Sequence, residues 1–215
     1  MLDYSLLLQP PHVGEVVHRY DGHCRRIDEA KVKMLSTEKD PSLRLSIDSC
    51  DIEFIDRWQG VQHIHLEGEL DDYVLRRSDG MYAYNLAVVL DDIAMGITEV
   101  IRGDDLLDTT GQQIYLYKTL QQCLHSKNII VPSYGHAPLL IDSEGHRLSK
   151  RQKSITVREL RDNQWSANRI LGELAVAGGL VEASTLHNRE ISVSELIERD
   201  LNLPSLSQKM IEIKI

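Results

Sequence analysis

Three cysteines in 215 residues, Cys24, Cys50 and Cys123, are too few and too scattered for a disulfide framework. With no Cys-x-x-Cys spacing they write no complete thiolate metal site, and reduced thiols are expected. Phenylalanine is nearly absent, Phe54 being the only one, so the interleaved aromatics that stack a single nucleic-acid strand are missing. No run reaches the about 18 apolar residues of a membrane helix. The opening MLDYSLLLQPPHVGE carries an acid and two prolines where a signal peptide needs a basic flank, so a cytoplasmic protein with no membrane partner is expected. An excess of positive charge is lacking too. The net charge of −9 argues against indiscriminate binding along a phosphate backbone.

What is present is enough apolar sequence, 42%, for a packed core of one large domain or two small ones. Positive charge is local: Arg147, Lys150, Arg151, Lys153 and Arg158 form one group, and Arg19, Arg25, Arg26, Lys31 and Lys33 another. Either run also reads as a solvated charged face.

Periodicity orders the chain as follows. RRIDEAKVKM, from Arg25 to Met34, reads as a short helix, and LRLSIDS and EFIDRW alternate as half-buried strands before a turn at Gln59-Gly60. VLR, AYNLAVVLDD and ITEVIRG are apolar runs of strand or buried-helix type that period alone does not separate. Asp108, Thr109 and Thr110 are candidate caps for a helix QQIYLYKTLQQCL, with Ile114, Tyr117, Leu120 and Leu124 at helical spacing. IIVPSYGHAPLLI supplies two short strands, and the turn Asp142-Ser143-Glu144-Gly145 opens into the basic loop HRLSKR. TVRELRDNQ and SANRILGELAVAG read as helices, the second stopped by Gly178-Gly179. Ser192-x-x-Glu195 forms a capping box for a last one, so the C-terminal third is expected to be helical.

Two segments carry chemistry. Ser149-Lys150-Arg151, on a short loop between a strand and a helix, offers a hydroxyl and two cations suited to a triphosphate. Tyr73 to Leu107 adds a phenol, Tyr84, and a guanidinium, Arg102, able to hold a carboxylate in bidentate fashion. On residues alone, Tyr84 also reads as a half-buried core aromatic and Arg102 as a strand-end ion pair with Asp104 or Asp105.

YVLRRSDGMYAYNLAVVLDDIAMGITEVIRGDDLL together with HAPLLIDSEGHRLSKR resembles the glutamyl branch of the class I aminoacyl-tRNA synthetases, RLSKR standing where the KMSKS-type motif lies. Within that branch the likeness is greatest to the short paralogues that attach glutamate to the queuosine base of tRNA(Asp), and it runs from about Tyr20 to Lys153. The resemblance implies an α/β fold. It would be the C-terminal part of a Rossmann-like catalytic domain (71–157), with an inserted module (1–70) before it and a helical tail (158–215) after it. It further implies that Tyr84 and Arg102 contact glutamate, that Arg147, Leu148, Ser149, Lys150 and Arg151 form the ATP loop, and that Lys150 is catalytic. ATP with Mg2+, glutamate and tRNA(Asp) are the implied partners of an otherwise monomeric ligase.

Tyr20 and Cys24 match the second half of a zinc site that the family completes with a Cys-x-Cys pair, and that pair is absent here. The Gly-rich, His-containing nucleotide loop with which family members begin has no counterpart either. PPHVG, from Pro10 to Gly14, follows no strand and lacks the second His. The expectation is a chain inactive alone, either a fragment or one completed by a separate N-terminal piece. Alternatives are a fragment of a glutamyl-tRNA synthetase, disfavoured by the about sixty residues after RLSKR, and a non-catalytic tRNA-binding remnant.

Overall fold

The computed structural model describes residues 25, 27–37, 40–148, 156–201 and 203–213. Tyr20, Cys24 and the loop residues Ser149, Lys150 and Arg151 lie outside the described residues. The chain divides into two compact units, one of residues 1–56, 61–100 and 105–134, the other of 57–60, 101–104 and 135–215.

In the first unit, α1 (Glu29–Leu35) starts where the Asp28 carboxylate accepts the Lys31 N–H at 2.7 Å. Strand β1 (Leu43–Leu45) pairs antiparallel with β4 (Tyr73–Arg76). Both elements are tied by Asp72, a buried carboxylate that accepts from Arg25 Nε at 2.7 Å, Arg25 Nη2 at 2.6 Å and the Ile47 amide at 2.7 Å. β2 (Cys50–Asp56) and β3 (Gly60–Leu66) bury alternate residues, as a strand with one solvated face must. They join β5 (Glu99–Gly103) and β6 (Ser133–Ala137) in a four-stranded sheet of order β3-β2-β6-β5, with β2 and β6 parallel. Ile47, Ile52, Leu66, Ile114 and Tyr134 fill the core beside it.

The ambiguous run AYNLAVVLDD is helical. α2 (Tyr84–Met95) buries Val89, packs Leu86 and Ile93 at helical spacing on the same cluster, and ends on Gly96 in the left-handed region, φ 67°. α3 (Leu107–Cys123) starts earlier than the cap reading allowed. Thr109 and Thr110 lie inside it and donate their hydroxyls back to the Leu106 carbonyl, so neither caps the helix. Gly111 is required on its inner face, because a Cβ there would meet Ile64 Cγ2 at 2.8 Å.

The second unit is built around β7 (Leu139–Ile141), α4 (Val157–Asp162), α5 (Ala167–Ala177) and α6 (Val193–Glu198). Full capping boxes start α4 at Thr156–Glu159 and α6 at Ser192–Glu195. The C-terminal third is not wholly helical. β8 (Met210–Glu212) runs parallel to β7, burying Ile211, with Ile213 buried just beyond it.

Candidate active site

Arg102 sits near the end of β5, and in the second unit its Nε donates to His136 Nε2 at 3.0 Å. A guanidinium is always a donor, so His136 accepts at Nε2 and carries its proton on Nδ1 as a neutral imidazole. His136 is fully buried on β6, and its backbone carbonyl accepts from Gln59 Nε2 at 3.2 Å. Next to it, Gly135 is fitted closely. A Cβ there would lie 2.9 Å from Ile101 Cδ1 and 3.0 Å from the Trp58 ring. The guanidinium is thus contacted at its inner nitrogen by a fully buried histidine, and a guanidinium is the kind of group that can take a carboxylate in bidentate fashion.

Tyr84 belongs to the first unit. There the tight turn Arg77–Gly80, closed by an Arg77–Asp79 ion pair at 2.6 Å and by Gly80 at φ 86°, reverses the chain so that Tyr82 bridges back to Arg76. Tyr84 then opens α2, with Ala83 as a cap that offers no side-chain bond. It is 58% exposed, as are Met81 and Tyr82 to a similar degree, so it is no core aromatic. Beside it, Asn85 is fixed by Gln113 Nε2 at 3.0 Å. Arg76 Nε is buried without a hydrogen-bond partner among the described residues.

The described residues on either side of the basic loop are held by local hydrogen bonds in the second unit. Asp142 accepts from the amides of Glu144 at 2.9 Å and His146 at 2.8 Å, and these bonds hold its carboxyl below the usual carboxylate range. Arg147 bridges back to Ile141 and the Leu148 amide donates to the Leu140 carbonyl, so two of the five loop residues expected to face ATP extend a hairpin from β7. The Thr156 capping box receives the chain on the far side. Sequence reasoning missed His136, Gln59 and Trp58. Nothing in YGHAPLL separates His136 from an ordinary core histidine.

Among the described residues no three His, Cys, Asp or Glu side chains converge where one metal ion could sit. Tyr20 and Cys24, the two zinc candidates, are outside them. Among the described residues no helix is long and apolar enough to cross a membrane.

Comparison with solved structures places the architecture. The crystal structure of a glutamate-tRNA synthetase from Elizabethkingia anophelis superposes with a TM-score of 0.69 at 23% identity, covering 91% of this chain and 43% of that one. A glutamate tRNA ligase from Elizabethkingia meningosepticum in complex with its amino acid gives the same score, covering 91% and 42%. The class is therefore the α/β fold of glutamate-tRNA ligases. At residues 12–210 the chain matches the profile of the tRNA synthetases class I (E and Q), catalytic domain, and it belongs to that family. Curated relatives named Glutamyl-Q tRNA(Asp) synthetase are similar to it. That of Nitratidesulfovibrio vulgaris is 40% identical over 172 residues, 80% of this chain and 51% of the relative. That of Symbiobacterium thermophilum is 40% identical over 164 residues, 76% and 48%. The chain spans about half the length of the curated relatives it matches.

Proposed function

We propose that this chain serves the ATP-dependent activation of glutamate and its transfer to the queuosine base of tRNA(Asp). The observation that carries the reading is Arg102, a guanidinium oriented by buried His136 at the end of a sheet strand. The family and the names of the 40%-identical relatives support it. Arg102 takes a glutamate carboxylate and Tyr84, exposed at the start of α2, adds a directional hydrogen bond. Lys150 places a compact positive charge on the phosphates of ATP, which brings its own Mg2+. The α-carboxylate oxygen attacks the α-phosphorus, the bond to pyrophosphate breaks, and a hydroxyl of the modified base then attacks the carbonyl carbon as AMP leaves. The protein's part is positioning and charge stabilisation rather than covalent chemistry.

The solved neighbours favour a second reading, a glutamyl-tRNA synthetase whose acceptor is a tRNA 3′ end. Labelled glutamate, ATP and three acceptors separate the two: tRNA(Asp) with queuosine, the same tRNA with guanosine at that position, and tRNA(Glu). The assay is run with the chain alone and with the remaining part of a relative supplied in trans. Label on queuosine-bearing tRNA(Asp) alone is expected, and label on tRNA(Glu) would sink the reading in favour of the second.

A further inference from the structure

The outer face of the β2–β3 pair carries a cluster that glutamate activation does not use. On β3, His63 and His65 are two residues apart and both exposed, so the two-residue period of a strand puts them on one face. Across from them, Glu53 and Asp51 share the outward face of β2. His63 Nδ1 lies 3.2 Å from Glu53 Oε2, and His65 Nδ1 lies 2.7 Å from Asp51 Oδ1. Both histidines thus use the same ring nitrogen for a carboxylate, and among the described residues neither Nε2 has a hydrogen-bond partner.

As cross-strand ion pairs at an exposed site, these contacts would contribute little. The arrangement matches something else: a metal-bound histidine characteristically donates its second ring nitrogen to a carboxylate, which fixes the tautomer and aims the other nitrogen at the ion. Here that unit occurs twice, side by side. We propose that His63 and His65 bind one divalent transition-metal ion through their Nε2 atoms, with Asp51 and Glu53 as the orienting carboxylates and water in the remaining positions. Cβ atoms two residues apart on a strand are about 7 Å apart, and two imidazoles leaning together from that spacing can reach one ion at about 2.0–2.1 Å. Imidazole ligands select Zn2+, Ni2+ or Cu2+ over Mg2+ or Ca2+. No third protein ligand converges on the same point among the described residues, so the site is two-coordinate in protein atoms and exchangeable. It shares no residue with Tyr20 and Cys24.

The test is calorimetric titration of the untagged chain with Ni2+ and Zn2+, alongside the His63→Gln, His65→Gln, Asp51→Asn and Cys24→Ser variants. All four are checked by circular dichroism, and the three hairpin side chains lie on an exposed face. One ion per chain is expected, bound at least tenfold more weakly in either histidine variant, several-fold more weakly in Asp51→Asn, and as in the parent in Cys24→Ser. Ring 15N spectra add a readout tied to the site: the Nε2 signals of His63 and His65 move on zinc addition while Mg2+ leaves them in place. Unchanged affinity in both histidine variants, or a loss confined to Cys24→Ser, would overturn the proposal.

Discussion

Replacing Asp72 by alanine should unfold the first unit's N-terminal segment more readily than any surface change. Its carboxylate receives three hydrogen bonds, two from the Arg25 guanidinium and one from the Ile47 amide, and both Asp72 and Ile47 are buried. Removing it leaves the Ile47 N–H without its acceptor, which costs about 1–3 kcal/mol. Arg25 loses a bidentate partner; breaking a buried pair costs about 3–5 kcal/mol when the survivor stays dry. The Arg25 side chain keeps 30% of its surface in water, so part of that loss is recovered by hydration. The sum is roughly 3–4 kcal/mol for Asp72→Ala. Asp72→Asn keeps one oxygen for the Ile47 amide and gives up the charge, so it should cost about half as much. Trp58 and Trp165 both belong to the second unit, so tryptophan fluorescence reports the wrong part of the chain. Urea unfolding followed by far-ultraviolet circular dichroism, with amide exchange at Ile47, reads the right one. A loss below about 1 kcal/mol for the alanine variant, or equal losses for alanine and asparagine, would refute the reasoning.

In the second unit, a Cβ at Gly172 of α5 would fall 1.9 Å from the Arg189 carbonyl oxygen, a backbone atom that cannot rotate away. Gly172→Ala should therefore destabilise by about 2–3 kcal/mol in urea melts followed by Trp165 fluorescence, and a neutral result would mean that α5 does not pack on that segment. For the turn before the basic loop, Asp142 has a folded pKa below its ordinary value of 3.8, chiefly through the His146 amide. Its contribution is thus present above that value and lost as pH falls through the lower folded one. The His146 and Glu144 amides should stay protected from neutral pH down to near pH 3.8 and lose protection below it. Asp142→Ala should show them unprotected throughout, and an opening step near neutral pH would contradict the assignment.

Much of this fold was legible, and the misreadings have particular causes. α4, α5 and α6 announce themselves through Thr156, Ser166 and Ser192, local caps whose partners lie three residues on. AYNLAVVLDD was ambiguous because Val88 and Val89 favour a strand locally. Packing of Leu86, Val89 and Ile93 on one cluster decides for a helix. The caps proposed for α3 failed because Thr110 and Gln113 are needed inside, fully buried against the first unit's core, and no local rule reveals that. β8 was read as part of a helical tail because its partner, β7, lies about seventy residues earlier. At the site, Arg102 and Tyr84 stand out in the sequence through their motifs as candidates, and the glutamate contacts given to them are the proposal made above. His136 was not, since a buried neutral histidine in an apolar strand has no sequence mark separating it from a core residue.

The most direct test of the account is whether Arg102, held by His136, recognises glutamate. Nuclear magnetic resonance of the chain, with the Arg102 Nε–Hε signal and the His136 ring followed during titration with glutamate, addresses those atoms without requiring turnover. Saturable shifts of both signals with glutamate, weaker by at least tenfold with glutamine and abolished for the ligand in Arg102→Ala, are predicted. Signals that stay fixed at millimolar glutamate in the folded chain, or that move equally with any amino acid, would contradict the central claim.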